Sequence, residues 1–156
     1  EDKNMEYGTK FRYVFRSVEK EALKKFASKL SPLNITPNQA EVLLVLADNE
    51  PLSLKEIGDL LICEQKSPSR LVQGLVEKGF IYKGKQATDG RYSVLYLTKE
   101  GKALVPKLQK IENCFDEELS QFLKNNIDVN EMMSCFQEYL KGTRSEKKLK
   151  LRSLWD

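Results

Sequence analysis

Histidine is missing altogether from the 156 residues, and that absence excludes more chemistry than any other feature of the composition. Imidazole is the commonest transition-metal ligand and the usual base beside a serine or cysteine nucleophile, so a metal sensor and a hydrolytic triad are both poor readings. Thiols are few: Cys63, Cys114 and Cys135 form no C-x-x-C pair. An odd count, in a chain that shows no secretory signal, points to reduced cysteines and a cytoplasmic protein. No apolar run reaches the roughly 18 residues of a membrane span. Neither a phosphate-cradling glycine motif nor a metalloprotease motif is found. The expectation is a protein that is not an enzyme and has no cofactor, no metal and no membrane contact.

Apolar residues make up 40% of the chain and charged residues 31%, which suits one domain, or one domain plus an appended dimerisation region. The net charge of +3 is small but unevenly placed. Between Gln65 and Tyr92, six basic residues (Lys66, Arg70, Lys78, Lys83, Lys85, Arg91) stand against Glu77 and Asp89. Another six basic residues fall between Lys141 and Asp156, and the remainder of the chain is acidic. Such asymmetry suits a surface that meets a polyanion; the alternative for an isolated basic stretch is a solvated charge run.

The first basic stretch coincides with the most strongly patterned part of the chain, Ser53 to Thr98. Ser53-Leu54-Lys55-Glu56 has the spacing of a capping box, and Leu54, Ile57, Leu60 and Leu61 then give a helix one apolar face. A second helix follows almost at once, because Leu71, Val72, Leu75 and Val76 repeat the pattern and Gly79 supplies its exit. Its outer face carries Lys66, Ser69, Arg70 and Gln73. Two helices with so short a turn, the second exposing long donors, form the arrangement that lays a helix in the DNA major groove. Phe80-Ile81-Tyr82 and Ser93 to Leu97 read as strands, and the polar segment from Lys83 to Tyr92 between them as a long hairpin tip.

Three motifs then stand in order: Leu75-Val76-Glu77-Lys78-Gly79-Phe80-Ile81, Asp89-Gly90-Arg91, and Leu97-Thr98-Lys99-Glu100-Gly101. On these residues the chain resembles a MarR-family winged-helix transcriptional regulator, from Ile35 to about Phe122. The resemblance implies a mainly α fold with a small β-hairpin wing (α+β), a winged helix-turn-helix DNA-binding lobe joined to a helical dimerisation region. The corresponding division is an N-terminal dimerisation helix (1–34), the DNA-binding lobe (35–98), C-terminal dimerisation helices (99–142) and a basic tail (143–156). It further implies a sequence-specific repressor that binds a pseudo-palindromic operator in double-stranded DNA as a homodimer. Release would come from a small aromatic or amphipathic effector, or from thiol oxidation. Pro68 departs from the residue usual in the family at that point and sets the reading helix to begin at Ser67.

Outside this lobe, Phe11, Val14, Phe15, Val18, Ala22, Phe26 and Leu30 predict a helix from about Thr9 to Leu30, ended by Ser31-Pro32-Leu33. Thr36-Pro37-Asn38-Gln39 begins the next, with Ala40, Leu43, Leu44 and Ala47 as its apolar face. Thr98 caps a long helix to about Asn125, with a kink or irregularity expected at Pro106. Asp128 caps another, to about Lys141. Long apolar stripes at both ends of a compact lobe favour burial against a two-fold copy. The tail from Arg144 to Asp156 is expected to dock on the partner subunit.

Lys66, Ser67, Ser69, Arg70 and Gln73 are candidates for contact with bases or phosphates, and Lys83 and Lys85 extend the basic surface onto the hairpin. By resemblance, Arg91 enters the minor groove and Asp89 holds it in pose; the alternative is a hairpin-tip ion pair worth ~0–1 kcal/mol. Cys63, just before the reading helix, is a redox candidate if the helix dipole and Lys66 lower its pKa, with an inert, partly buried thiol as the alternative. Tyr7, Phe11, Phe15 and Leu33 are candidate ligand-binding residues by resemblance, and plain core residues otherwise. A competing class is a winged-helix protein-interaction module without sequence-specific DNA binding.

Overall fold

Side-chain caps at Ser53, Thr98, Asp128 and Thr143 begin helices in the computed structural model, which describes residues 2–63, 67–86 and 89–156, with the backbone alone for 2, 3, 86 and 89–92. The chain divides into two compact units, Glu1–Pro37 and Asn38–Asp156. In the first, α1 (Asp2–Leu30) starts earlier than predicted and is followed by a 3-10 turn at Ser31–Leu33. Asn34, at φ 56°, supplies the left-handed residue that ends the turn. Leu30 is buried, but Phe11, Val14, Phe15 and Val18 of the same predicted stripe are exposed. Phe11 and Phe15 stack with ring centroids 5.3 Å apart.

The second unit holds the core. From α2 (Pro37–Asn49) it takes Ala40, Val42, Leu43, Val45 and Leu46; from α3 (Leu54–Leu60), Ile57; and from α4 (Pro68–Glu77), Val72 and Leu75. The predicted capping box is present: the Ser53 hydroxyl accepts the Glu56 N–H and the Glu56 carboxylate accepts the Ser53 N–H, both at 3.1 Å. Ser67 is the N-cap of α4 and Pro68 its first residue, as the sequence indicates.

The hairpin pairs β1 (Ile81–Gln86) with β2 (Asp89–Leu97), Ile81 opposite Leu97 and Gln86 opposite Asp89. Pairing thus extends much further toward the tip than predicted. A stacked Tyr82–Tyr96 pair, centroids 5.3 Å apart, braces the base. Gly84 makes room for it, since a Cβ there would lie 2.9 Å from the Tyr96 ring. Lys83 and Lys85 therefore belong to β1, and Asp89 and Arg91 to β2, rather than to a loop. Leu52 adds a one-residue bridge to Leu95, with N–H···O distances of 2.7 and 3.3 Å.

α5 (Lys99–Asn126) is one continuous helical run through Pro106, which sits on its exposed side. Its proximal half buries Leu104, Val105 and Leu108, while Leu119 and Phe122 further along are exposed, Phe122 by 64%. α6 (Val129–Leu140) is capped by Asp128. The tail is not a loose extension. Thr143 caps α7 (Arg144–Leu151), which packs on α3 and α6 of its own chain. Among the described residues no helix is long and apolar enough to cross a membrane.

Candidate nucleic-acid interface

The reading helix is anchored through its inner face and its exit. Val72 and Leu75 are buried, which turns Ser69, Arg70 and Gln73 outward on the opposite face of an amphipathic helix. Gln39, buried on α2, accepts a 2.9 Å hydrogen bond from Lys78 Nζ at the C-terminal end of α4. Gly79, at φ +82°, then closes the helix. Its N–H donates to Val76 O and that of Phe80 to Leu75 O, both at 3.0 Å, the paired bonds of a Schellman motif.

Two motifs distant in sequence meet at this exit. Thr98 Oγ1 donates to the Gly79 carbonyl at 2.6 Å and accepts the Gly101 N–H at 3.0 Å, capping α5. The Thr98 N–H donates to Phe80 O at 3.0 Å. Gly101 lies so close that a Cβ would fall 2.2 Å from the Phe80 oxygen. The end of α4, the start of β1 and the start of α5 thus form one joint.

Ser69, Arg70 and Gln73 come together with Lys83 and Ser93 around an open groove of about 500 Å³ between α4 and the hairpin, floored by Leu54, Val72 and Leu95. Ser67 and Ser69 are linked at the helix start by a 2.5 Å hydroxyl–hydroxyl hydrogen bond. Gln73 Nε2 also donates to Glu77 at 3.4 Å, one turn along. Lys85 is exposed on the same strand as Lys83 but does not line the groove. Lys66 lies outside the described residues, and for Asp89 and Arg91 the backbone places both on β2. Tyr7, Phe11 and Phe15 are exposed on α1, and Leu33 ends the 3-10 turn.

Sequence reasoning missed Glu41. Its carboxylate accepts the N–H groups of Ile62 at 2.7 Å and Cys63 at 2.9 Å, and pairs with Arg152. No local pattern links positions so far apart in sequence. The expected lowering of the Cys63 pKa is reversed: burial, then the Glu41 charge and hydrogen bond, push the thiol up to about 12, against weaker opposing effects of Lys148 and Arg152. A protonated, half-buried thiol is a poor nucleophile toward oxidants, so the geometry does not favour Cys63 as a redox sensor. Among the described residues no group of three or more acidic or cysteine side chains is arranged to hold a metal.

Nearby on α5, Glu112 has its pKa raised, first by burial and then by the Asp116 charge, with Glu41 and Asp48 adding to the shift and Arg152 opposing it. The folded chain therefore keeps a proton that the unfolded chain releases. Stability contributed by this group is full below the ordinary value of 4.5 and falls as pH rises through the raised one. Glu112→Gln should raise the urea midpoint at neutral pH, and the gain should vanish as pH drops below 4.5. An equal gain at both pH extremes would show that Glu112 does not titrate in this way.

A short helix pair followed by a hairpin, with the second helix and the hairpin sharing a groove rimmed by Ser69, Arg70, Gln73 and Lys83, defines a winged helix-turn-helix lobe. A sequence profile of the MarR family matches residues 33–91. The HTH-type transcriptional regulator SarZ of Staphylococcus saprophyticus is 26% identical over 124 residues, covering 80% of this chain and 85% of that protein. A Staphylococcus aureus MepR–DNA complex superposes with a TM-score of 0.71 at 26% identity, covering 83% and 95% of the two chains. A MarR-like transcription regulator from Bacillus cereus has the same fold, with a TM-score of 0.76, 18% identity and coverage of 86% and 99%. Over residues 33–91 the chain matches the MarR family, and its fold is that of MarR-like winged-helix transcriptional regulators.

Proposed function

We propose that the protein is a cytoplasmic, sequence-specific repressor that binds a pseudo-palindromic operator as a homodimer. The observation that carries this reading is the groove joining Ser69, Arg70 and Gln73 of α4 to Lys83 of the hairpin. It sits on a lobe whose inner side is fully buried, so the donors are held rather than free to rearrange. In this reading Lys66, Ser67, Ser69, Arg70 and Gln73 meet bases or phosphates in the major groove. Lys83 and Lys85 meet phosphates beside them, and Arg91, posed by Asp89, enters the minor groove. The similarity to MepR, whose structure is a complex with DNA, supports DNA as the partner.

Exposed apolar side chains support the dimer. Tyr7, Phe11, Val14, Phe15 and Val18 on α1, and Leu119, Phe122, Ile127 and Met133 on and after α5, form more uncovered apolar surface than an isolated protomer ordinarily carries. A two-fold pair would set its reading helices about 34–36 Å apart, in successive major grooves. The high Cys63 pKa favours release by a small aromatic or amphipathic ligand over release by oxidation, with Tyr7, Phe11, Phe15 and Leu33 as the candidate lining.

The test is a competition gel shift at fixed salt between the chain's own upstream promoter and random duplex. Preference for the promoter by about 10³-fold or more is the expectation for specific over non-specific binding. Equal, weak binding to both duplexes would favour the protein-interaction module instead.

A further inference from the structure

We infer that α7, with the arginine that follows it, is an internal strap that holds the end of α3 and residues 62–63 ahead of the reading helix, and that Arg152 is its main positioning residue. This rests on the DNA-binding reading above and adds residues that no base or phosphate touches. Arg144, Lys148 and Arg152 recur every four positions and so share one side of the helix. All three reach the end of α3. Arg144 pairs with Asp59 at 3.5 Å, and Lys148 Nζ donates to the carbonyls of Gly58 at 3.1 Å and Leu61 at 2.7 Å. Arg152 donates to the Leu60 carbonyl at 3.4 Å and pairs with Glu41. These carbonyls belong to the last turn of a helix, where they lack intrahelical partners and where the dipole favours cations.

Glu41 completes the path. The Oε2 that meets Arg152 also accepts the Ile62 N–H, and Oε1 of the same carboxylate accepts the Cys63 N–H, just past the end of α3. Arg152 and Glu41 side chains are only 24% and 17% exposed, so their pairing is shielded from salt far better than a surface ion pair. Freed of Arg152, Glu41 would be drawn toward water and the two amides would lose their shared acceptor. Residues 62 and 63 would then sample other geometries, and the approach to α4 would have to be ordered on each binding event. The positive charge of this face is directed at the protein's own carbonyls and carboxylates, so it is not a second phosphate-binding surface.

The experiment uses the full chain carrying Cys114→Ser and Cys135→Ser, which leaves Cys63 as the one thiol. Arg152→Ala is compared with its parent for duplex affinity across a salt titration and for the rate of Cys63 labelling by a thiol reagent. The expected result is affinity weaker by about tenfold with an unchanged salt slope, together with faster labelling. Arg152→Lys should recover part of both, and Glu41→Gln combined with Arg152→Ala should be less than additive. A slope reduced by ~0.9 per phosphate would make Arg152 a phosphate ligand and overturn the inference. Unchanged affinity in a parent that binds DNA would overturn the strap alone, whereas a parent that binds no duplex would overturn the DNA reading and the strap with it. If Arg152→Ala does not unfold cooperatively, Lys148→Met is read in the same way, because it removes the donors to Gly58 and Leu61 and leaves the Glu41 pair intact.

Discussion

Arg91→Ala is expected to weaken binding to the operator by about 1–3 kcal/mol, roughly 5- to 150-fold in Kd. The effect should show a particular salt signature. Every phosphate that is no longer neutralised lowers the slope of log K against log salt by ~0.9, so a symmetric dimer deprived of one such pairing on each side should drop by about twice that. Arg91 lies on β2, in the irregular stretch between the Lys85–Ser93 and Gln86–Asp89 pairs, so the hairpin carries three cations on one narrow ribbon. A guanidinium in a narrow minor groove responds to groove width rather than to base identity. Arg91→Lys should therefore restore the salt slope more fully than the affinity, since an ammonium keeps the charge and loses the planar fork. An unchanged Kd and slope for Arg91→Ala would remove the wing from the mechanism and leave α4 alone to hold the duplex. Arg70→Ala, measured alongside, separates the two insertions.

The lobe was legible in the sequence because its determinants are local. A serine three residues before a glutamate, a proline one residue inside a helix and a glycine just past its end each act over a single turn, and each stands where the pattern put it: Ser53, Pro68 and Gly79. Hairpin length was less legible. Lys83 to Tyr92 is polar and contains two glycines, which locally resembles a loop. The pairing is instead carried by cross-strand packing, Tyr82 on Tyr96 over Gly84, which no single strand reveals.

The tail shows the same limit more clearly. Its alternation of leucines and lysines announces a basic amphipathic segment, but what it packs on depends on Glu41, Asp59 and the carbonyls ending α3, far away in sequence. Cys63 departs from expectation for a related reason. Position before a helix and next to Lys66 is visible in the primary structure, whereas the burial and the Glu41 carboxylate that raise the thiol are products of tertiary packing. On α1 the apolar stripe is plain in the sequence, yet most of it is exposed in the protomer, as a surface reserved for a second copy would be.

Gly101→Ala is expected to destabilise the fold although helix propensity alone argues the other way. Gly101 lies in the first turn of α5, where alanine would favour the helix by about 0.8–1.0 kcal/mol. Against this, its Cβ would sit 2.2 Å from the Phe80 oxygen, and that atom cannot swing aside as a flexible side chain would. The Phe80 carbonyl is fixed by the Thr98 N–H, and the residue before it by the Thr98 hydroxyl. The start of α5 must therefore move away from the exit of α4, stretching bonds that close both helices. Overpacking of this kind costs about 1–3 kcal/mol and should exceed the propensity gain here, because the obstacle is backbone. A net loss of about 1–2 kcal/mol corresponds to a Tm lower by roughly 2–8 °C at fixed protomer concentration. Lys99→Ala, exposed in the same turn, should stay within about 0.5 kcal/mol of the parent and so separates the close approach from any general effect at the helix start. Because the displaced joint also seats the reading helix, Gly101→Ala should weaken operator binding while leaving the salt slope untouched. A melting temperature equal to or above that of the parent would mean that the Phe80 carbonyl yields freely and that the glycine is there for some other reason.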